Sequence, residues 1–345
     1  MPSPVAIDHI LTLPDGRLLG YREFGDPAGA PVIALHGTPG SRFKYASSHG
    51  AAAAYGLRLI ALDRWGYGLS SAKPDARLAD FGTDVAALAD ALRLDRVAVT
   101  GVSGGAPFAV ATAAALKDRV SALALVSPVG ILVGQGGRAA LSPFHTVCFR
   151  ILPHLPGAVP AVFHAYRAGL ALAPDAAMAV VMSRSPAADR VAIQDDATRA
   201  RLIETFRTGL APGVAGPTTD MALFAKPWAL ALADITASAR VWMGLDDRNV
   251  PLTAVRALVS ALPRCDCVDL PDAGHLWVAR NAHRVMEWLA VRAGLAPDFT
   301  LDDPNPDQVE AGRIQRPENH DLSLLGRAAG LSKPERKLGL AHERE

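Results

Sequence analysis

The sequence predicts an α/β fold in which a mostly parallel sheet is flanked by helices and interrupted by a helical insertion. Short apolar runs, among them "PVIALHG", "LRLIALD", "RVAVTGVS" and "SALALVSP", alternate with amphipathic stretches. Strands that are apolar throughout are typical of parallel sheets covered on both faces. The alternation stops near residue 130 and resumes near residue 238, which places a proline-rich helical segment between two halves of one sheet domain.

The individual elements follow from local patterns. Two strand-like runs in "HILTLPDGRLLGYREFG" flank a Pro-Asp-Gly turn signal at residues 14–16, which predicts a hairpin. In "FGTDVAALADALRL" four apolar residues recur on one helical face: Phe81, Val85, Leu88 and Leu92. Strand–helix order resumes in "ARVWMGLDD", "PLTAVRALVSAL", "CDCVDLPD" and "NAHRVMEWLAVRAGL", so the sheet is completed after the insertion.

These changes set the predicted domain boundaries. Residues 1–130 and 238–295 form the two parts of the sheet domain, and residues 131–237 form the insertion, with "DATRARLIETFRTGL" as its clearest helix. From residue 296 the composition becomes rich in charge, proline and amide side chains, with little to bury. We therefore expect residues 296–345 to be a disordered tail that contains a short helix near residues 322–329.

Composition argues against several classes of function. The 345 residues are 50% hydrophobic and carry a formal net charge of +1, which gives no electrostatic reason to expect a nucleic acid or a membrane surface as partner. No stretch offers about 20 unbroken apolar residues. The start, "MPSPVAIDHILTL", lacks the charged head and apolar core of a secretory signal. We expect a soluble, cytoplasmic protein whose partner is a small molecule.

The cysteines are expected to be structural. Cys148, Cys265 and Cys267 are an odd and sparse set that does not build a disulfide framework. Cys265 and Cys267 share a strand face, but a spacing of two residues is poor for metal ligation. The sequence therefore predicts neither a metal nor a cofactor.

A serine between glycines is the most informative feature, in "VTGVSGGAPF" at residues 99–108. Where a parallel strand turns sharply into a helix, a strained corner residue needs small neighbours. Gly101 and Gly105, two residues either side of Ser103, supply that clearance. The turn lifts the hydroxyl above the sheet edge and directs the first helical amides towards its target. We predict Ser103 as a nucleophile; the alternative is an ordinary serine in a tight turn.

A serine hydroxyl needs a base, and the base needs an orienting acid. We predict His275 in "LPDAGHLWV" as the base because it follows the last strand, where a loop can lean back over the sheet. For the acid we choose Asp247 in "MGLDDRNVP", where the chain leaves the end of the preceding strand. The other usual location, "VSPVG", contains no carboxylate. Asp246 stays open as a solvated neighbour or a helix cap.

Attack on a carbonyl also needs hydrogen-bond donors for the developing oxyanion. One is the backbone amide of Gly104, directly after the serine. We expect the second in the loop "HGTPGS", at the amide of Thr38, since Pro39 has no N–H to donate. His36 and Gly37 would support this loop, with His36 holding backbone by hydrogen bonds rather than acting as a base.

Five motifs, in this order, resemble the α/β-hydrolase superfamily: "HGTPGS", "LDRWGYGLSS", "GVSGG", "GLDDRNVP" and "AGHLW". The resemblance covers residues from about 17 to 293 and points to capped serine hydrolases of the esterase and proline iminopeptidase branch. It implies an eight-stranded, mostly parallel sheet, a site at the carboxyl ends of the strands, and a helical cap at residues 131–237 over the serine. By position it implies a catalytic triad and two oxyanion donors: Ser103, Asp247, His275, Thr38 and Gly104.

A serine at the elbow predicts acyl transfer to water. It argues against the superfamily's haloalkane dehalogenases and epoxide hydrolases, which use a carboxylate nucleophile. Gly104 departs from the pattern of many relatives, which carry a bulky residue there, and leaves more room beside the nucleophile. The insertion is rich in alanine, leucine and valine, which favours a small to medium, uncharged carboxylic ester as substrate. Six aromatic residues are available to line its pocket, although we expect most of them in the core: Phe144, Phe149, Phe163, Tyr166, Phe206 and Phe224.

Three alternatives stay open. An acid of the insertion, Glu204, Asp195 or Asp196, would bind a free amine if the protein cleaved aminoacyl amides like the iminopeptidases. Cleavage of a carbon–carbon bond in a diketone-like substrate is a second alternative. The third is a ligand-binding or signalling relative without turnover, although a pure receptor needs no complete triad.

Overall fold

The computed structural model describes residues 7–134 and 137–295. The predicted tail at residues 296–345, with its helix near residues 322–329, lies outside the described residues.

Eight strands form one sheet, and their order along it is β1-β2-β4-β3-β5-β6-β9-β10. A further pair, β7 and β8, forms a separate two-stranded ribbon. The strands are β1 (Asp8–Thr12), β2 (Leu18–Gly25), β3 (Ala30–Leu35), β4 (Leu57–Leu62), β5 (Val97–Val102), β6 (Val120–Val126), β7 (Val133–Gly134), β8 (Gly137–Arg138), β9 (Ser238–Gly244) and β10 (Cys265–Leu270).

The sheet is mostly parallel, as predicted. The β1–β2 hairpin and the β2–β4 pair are antiparallel, whereas β4, β3, β5, β6, β9 and β10 pair in parallel. Every residue of β5 is buried because the strand lies in the middle of the sheet with helices on both faces. The carboxyl ends of β5, β9 and β10 therefore lie along one edge, where the loops after them can meet.

The helices that cover the sheet and form the insertion are, in chain order, α1 (His49–Ala54), α2 (Leu78–Ala91), α3 (Ala106–Leu116), α4 (Pro143–Thr146), α5 (Ala158–Leu172), α6 (Pro174–Met182), α7 (Ala187–Gln194), α8 (Asp196–Leu210), α9 (Ala215–Phe224), α10 (Leu252–Ala261) and α11 (Val278–Arg292).

Two hydrophobic cores sandwich the sheet. On one face α2, α3 and α10 pack against the strands, and on the other α1 and α11 do so. The predicted apolar face of α2 is buried through Phe81, Val85 and Leu88, whereas Leu92 follows the helix end and is only partly buried. The alternation of apolar strands and amphipathic helices was therefore a reliable guide to the sheet domain.

The helical insertion (α4 to α9) follows β6 and precedes β9. The β7–β8 ribbon lies between β6 and α4, in a stretch where the sequence predicted helices. The glycines of "GILVGQGG" explain the difference, since glycine lowers helix propensity by about 1 kcal/mol per residue relative to alanine.

Within the described ranges, no single helix has the length and apolar composition needed to span a membrane. Two consecutive helical segments, Pro143–His154 and Ala158–Leu172, reach that length and apolar composition when they are taken together, but the chain bends by 111° between them.

Candidate active site

Ser103 lies where β5 ends and the chain turns towards α3. Its φ is 53°, in the left-handed region that residues other than glycine rarely adopt. A short 3₁₀ turn, Ser103–Gly105, leads into the helix. A Cβ added at Gly101 would lie 2.8 Å from the carbonyl oxygen of Gly105, and one added at Gly105 would collide with the carbonyl of Leu35. Only glycine fits at either position, so the spacing of the two glycines permits the strained corner.

His275 lies in the loop between β10 and α11, and its ring is paired with a carboxylate. Its Nδ1 is 2.7 Å from Oδ2 of Asp247, whose side chain is fully buried. Burial lowers the pKa of His275, but the charge and hydrogen bond of Asp247 and the charge of Asp189 outweigh burial, so the pKa lies above its usual value. With Nδ1–H donated to Asp247, Nε2 is the ring nitrogen left to exchange a proton.

The loop after β9 directs its two adjacent carboxylates to different surroundings. Asp247 turns inward, where its Oδ1 accepts the backbone N–H groups of Asn249 and Val250 at 2.8 and 3.2 Å. Asp246 is exposed, and its backbone N–H donates to the carbonyl of Ala273. The structure thus brings Asp247, and not Asp246, to His275.

Ser103 and His275 line the same cavity. In the described part of the chain their side chains are not hydrogen-bonded to each other. Hydrogen bonds between a nucleophile and its base are often long before substrate binds and shorten in the complex. The shared cavity therefore brings the predicted triad to one site.

The two predicted oxyanion donors are neighbours in space. A Cβ added at Gly104 would lie 3.1 Å from the backbone nitrogen of Thr38 and would collide with the Thr38 side chain. A Cβ added at Gly37 would lie 3.7 Å from the hydroxyl oxygen of Ser103. Thr38, Gly37 and Ser103 all line the cavity, so the loop after β3 passes directly beside the serine.

His36 is fully buried beneath this loop and bonds only backbone. Its Nδ1 donates to the carbonyl of Gly37 at 2.7 Å, and its Nε2 accepts the backbone N–H of Arg64 at 3.1 Å. Burial, followed by the charge of Arg64, holds the pKa of His36 well below its usual value. A neutral imidazole with both nitrogens engaged is suited to support and not to proton transfer.

A buried ion pair connects the insertion to the same loop, which the sequence did not predict. Asp220 on α9 accepts from Arg64 Nη1 at 2.6 Å, from the Thr38 hydroxyl at 2.5 Å and from the Tyr67 hydroxyl at 2.7 Å. The side chains of Arg64 and Asp220 are 0% and 2% exposed, so neither charge is screened by water. Arg64 and Tyr67 belong to the "LDRWGYGLSS" motif, which was the available signal; nothing local marked Asp220.

A second carboxylate of the insertion holds the loop of His275. Asp189 on α7 accepts the backbone N–H of His275 at 2.9 Å and that of Leu276 at 2.8 Å. It is 1% exposed, and a Cβ added at Gly274 would collide with its carboxylate. In sequence Asp189 resembles an ordinary acid in the first turn of a helix, so its role in binding this loop was not predictable.

The cavity over Ser103 has a volume of about 790 Å³, within the range of small-molecule sites. Its lining is mostly apolar and comes largely from the insertion. All six aromatic residues considered from the sequence line it, and four of them also pack in hydrophobic clusters, as expected for most of the six: Phe149, Tyr166, Phe206 and Phe224, with Phe144 and Phe163 in the lining alone.

The acids considered for binding an amine lie elsewhere. Asp195 caps α8 by accepting the N–H of Thr198, and Asp196 is 88% exposed beside Arg199. Glu204 is exposed and bonds the hydroxyl of Thr208. No aspartate or glutamate is among the described residues that line the cavity, so the amine-binding alternative has no carboxylate there.

No cluster of three or more potential metal ligands occurs among residues 7–134 and 137–295. Cys148, Cys265 and Cys267 are all unpaired thiols. Cys148 lines the cavity, whereas the other two lie on β10.

Comparison with known proteins agrees with this architecture. The profile of the alpha/beta hydrolase fold family matches residues 30–156. A dihydrolipoyllysine-residue acetyltransferase component of the acetoin cleaving system from Pseudomonas putida is 35% identical over 118 residues, 34% of this chain and 31% of that protein. A non-heme chloroperoxidase from Streptomyces lividans is 36% identical over 121 residues, 34% of this chain and 44% of that protein. The matches thus span less than half the length of these relatives.

An esterase from Exiguobacterium antarcticum superimposes with a TM-score of 0.61 at 15% identity, over 84% of this chain and all of that structure. At such identity the likeness concerns the fold alone. The sheet order, the strained serine after β5 and these matches lead to one assignment. The chain has the α/β-hydrolase fold, whose family model matches residues 30–156.

Proposed function

We propose that this protein is a serine hydrolase that cleaves a small to medium, largely apolar carboxylic ester through an acyl-enzyme on Ser103. The observation that carries the proposal is the convergence of Ser103, in its left-handed conformation, with a histidine held by a buried aspartate, around one apolar cavity. A strained serine and a matched acid–base pair serve no packing purpose that an alanine and a leucine would not serve better.

In the first half of the proposed reaction the Ser103 oxygen attacks the ester carbonyl while Nε2 of His275 takes the hydroxyl proton. Asp247 keeps Nδ1–H in place and stabilises the imidazolium that forms. The backbone N–H groups of Thr38 and Gly104 donate hydrogen bonds to the carbonyl oxygen as negative charge develops on it. Collapse of this intermediate breaks the ester bond, and His275 returns the proton to the leaving alcohol.

In the second half a water molecule attacks the acyl-enzyme, with His275 again acting first as base and then as acid. Contacts described above would hold the reacting groups in place during these steps. His36 and Gly37 hold the oxyanion loop, and Asp189 holds the backbone of the histidine. No metal or cofactor takes part in any step of this proposal.

We also propose that residues 131–237 act as a cap that selects the acyl group. The insertion supplies most of the cavity lining, including Phe163, Val180, Met182 and Phe206. Burial of each apolar carbon of the substrate would favour binding by about 0.8 kcal/mol. An esterase among the structural relatives is consistent with this substrate class.

A fluorophosphonate probe, which phosphonylates activated serines, tests the proposal directly. We expect wild-type protein to be labelled and to hydrolyse short 4-nitrophenyl esters, and Ser103→Ala to do neither while keeping its thermal stability. Ser127→Ala is the matched control, because Ser127 also follows a sheet strand with positive φ and is buried, but does not line the cavity. Absence of labelling in a folded wild-type protein would favour a ligand-binding relative instead.

A further inference from the structure

The proposed reaction leaves one charged side chain of the cavity without a role. Lys44 lies on the 3₁₀ segment Arg42–Ser48, which follows the loop that carries Thr38. It lines the same cavity as Ser103 and His275. Among the described residues of that lining it is the only lysine or arginine, and no carboxylate accompanies it.

Lys44 has no partner for its charge within residues 7–134 and 137–295. Its ammonium makes no hydrogen bond, no ion pair and no ring contact there, although its neighbour Arg42 is paired with both Asp8 and Asp63. Burial lowers the pKa of Lys44 to about 8, so the ammonium form still predominates at neutral pH. Lys44 is only partly exposed, and its charge has no counter-charge among the described residues, which is the pattern of a site that a ligand completes.

Lys44 shares one cavity with the two reacting side chains, Ser103 and His275. Its charge acts on the His275 imidazole, where it lowers the pKa of that ring. The rest of the lining, from the insertion, is apolar. The cavity therefore combines one cation and the nucleophile with a mostly apolar chamber.

We propose that Lys44 binds a carboxylate of the substrate within the cavity that holds the scissile carbonyl, so that the natural substrate is a monoanionic ester whose remainder is apolar. This inference rests on the proposed hydrolase function and specifies its substrate class. A single ammonium with no second cation in the described lining matches one negative charge, whereas a dianionic phosphate would leave a charge unpaired among apolar side chains.

Matched esters test the inference. One substrate is the mono-4-nitrophenyl ester of adipic acid, which ends in a carboxylate. The other is 4-nitrophenyl 6-methylheptanoate, which has an isopropyl group of similar shape in place of that carboxylate. The quantity measured is the ratio of kcat/KM for the anionic ester to that for the neutral one, at pH 7. We expect Lys44→Met to reduce this ratio at least tenfold, since a hydrogen bond to a charged group is lost.

Three further variants and measurements make the result interpretable. Lys226→Met removes an exposed lysine outside the cavity and should leave the ratio at the wild-type value. Lys44→Arg keeps a positive charge and should recover part of the ratio. Lys44→Met should unfold at a temperature close to that of wild type, because its ammonium makes no contact with the described residues that the variant would lose. An equal loss of activity on both esters in Lys44→Met would overturn the inference.

The inference can fail separately from the proposed function. If wild-type protein hydrolyses the neutral ester and Lys44→Met leaves the ratio unchanged, the hydrolase stands and the anion site is refuted. If neither ester is hydrolysed, calorimetry with octanoate and 1-octanol decides. Octanoate binding that is at least tenfold tighter than octanol binding, in wild type but not in Lys44→Met, supports the anion site; equal affinities refute it.

Discussion

Asp189 gives the sharpest test of how the insertion acts on the site. The carboxylate accepts the backbone N–H groups of His275 and Leu276 at 2.9 and 2.8 Å, and it is almost inaccessible to water. In Asp189→Asn only one oxygen can accept, and the amide NH₂ faces the second backbone N–H. One charge-assisted bond is lost, and a buried donor is left without an acceptor.

The expected size of the effect follows from these contacts. Losing a hydrogen bond to a buried charged acceptor lowers the free energy of unfolding by about 1.5–3 kcal/mol. A displacement of the histidine by about 1 Å is expected to lower kcat about 100-fold. Because Asp189 does not line the cavity, we expect KM to change much less than kcat.

The pH profile separates positioning from general destabilisation. The charge of Asp189 contributes to the raised pKa of His275, so its removal lowers that pKa. Since the base acts in its neutral form, the acid limb of kcat/KM should move to lower pH in Asp189→Asn. Ester hydrolysis between pH 5 and 9, combined with urea unfolding, measures both quantities.

Asp196→Asn is the control, since this residue of the same insertion is exposed and its carboxylate pairs with Arg199 on the surface. It should change neither kcat nor the pH profile. The reasoning about Asp189 would be refuted by a variant that unfolds at lower urea concentration while keeping the wild-type kcat and acid limb.

Two more predictions concern the triad and the oxyanion loop. Asp247→Asn should lower kcat by about 10³–10⁴-fold with the fold intact, because His275 loses its orienting partner. The same change lowers the pKa of His275, whose loss of activity on acidification should therefore occur at lower pH than in wild type. Gly104→Ala should lower kcat at least tenfold, since the new Cβ collides with Thr38 and displaces an oxyanion donor. Steady-state hydrolysis of a short 4-nitrophenyl ester and circular dichroism measure these effects.

Each has a matched control in the chain. Asp246→Asn alters the exposed neighbour of the acid and should retain wild-type kcat; a larger loss there than in Asp247→Asn would contradict the assignment of the acid. Gly50→Ala adds a Cβ where no atom lies within 4 Å, so it should be neutral. Full activity in Gly104→Ala would mean that the oxyanion loop adapts without cost.

The sheet domain could be predicted because its signals are local. Apolar strands such as β5, the amphipathic spacing of α2 and the turn signal before β2 each depend on residues adjacent in sequence. The same holds for the turn at Ser103, where Gly101 and Gly105 indicate a backbone conformation that a side chain at either position would prevent. The β7–β8 ribbon could not be predicted, because strands of two residues are too short to show an alternation of apolar and polar residues.

Sequence alone thus predicted the α/β-hydrolase fold, the order of strands and helices in the sheet domain, and candidates for nucleophile, base, acid and oxyanion donors, since each candidate stands at a strand end with a motif around it. Only the tertiary structure decided which of two adjacent aspartates faces His275. It alone revealed the contacts of Asp189 and Asp220 with the site loops, and the unpaired Lys44 in the cavity. These contacts join residues up to 182 positions apart, and no local pattern encodes which distant carboxylate a loop will meet.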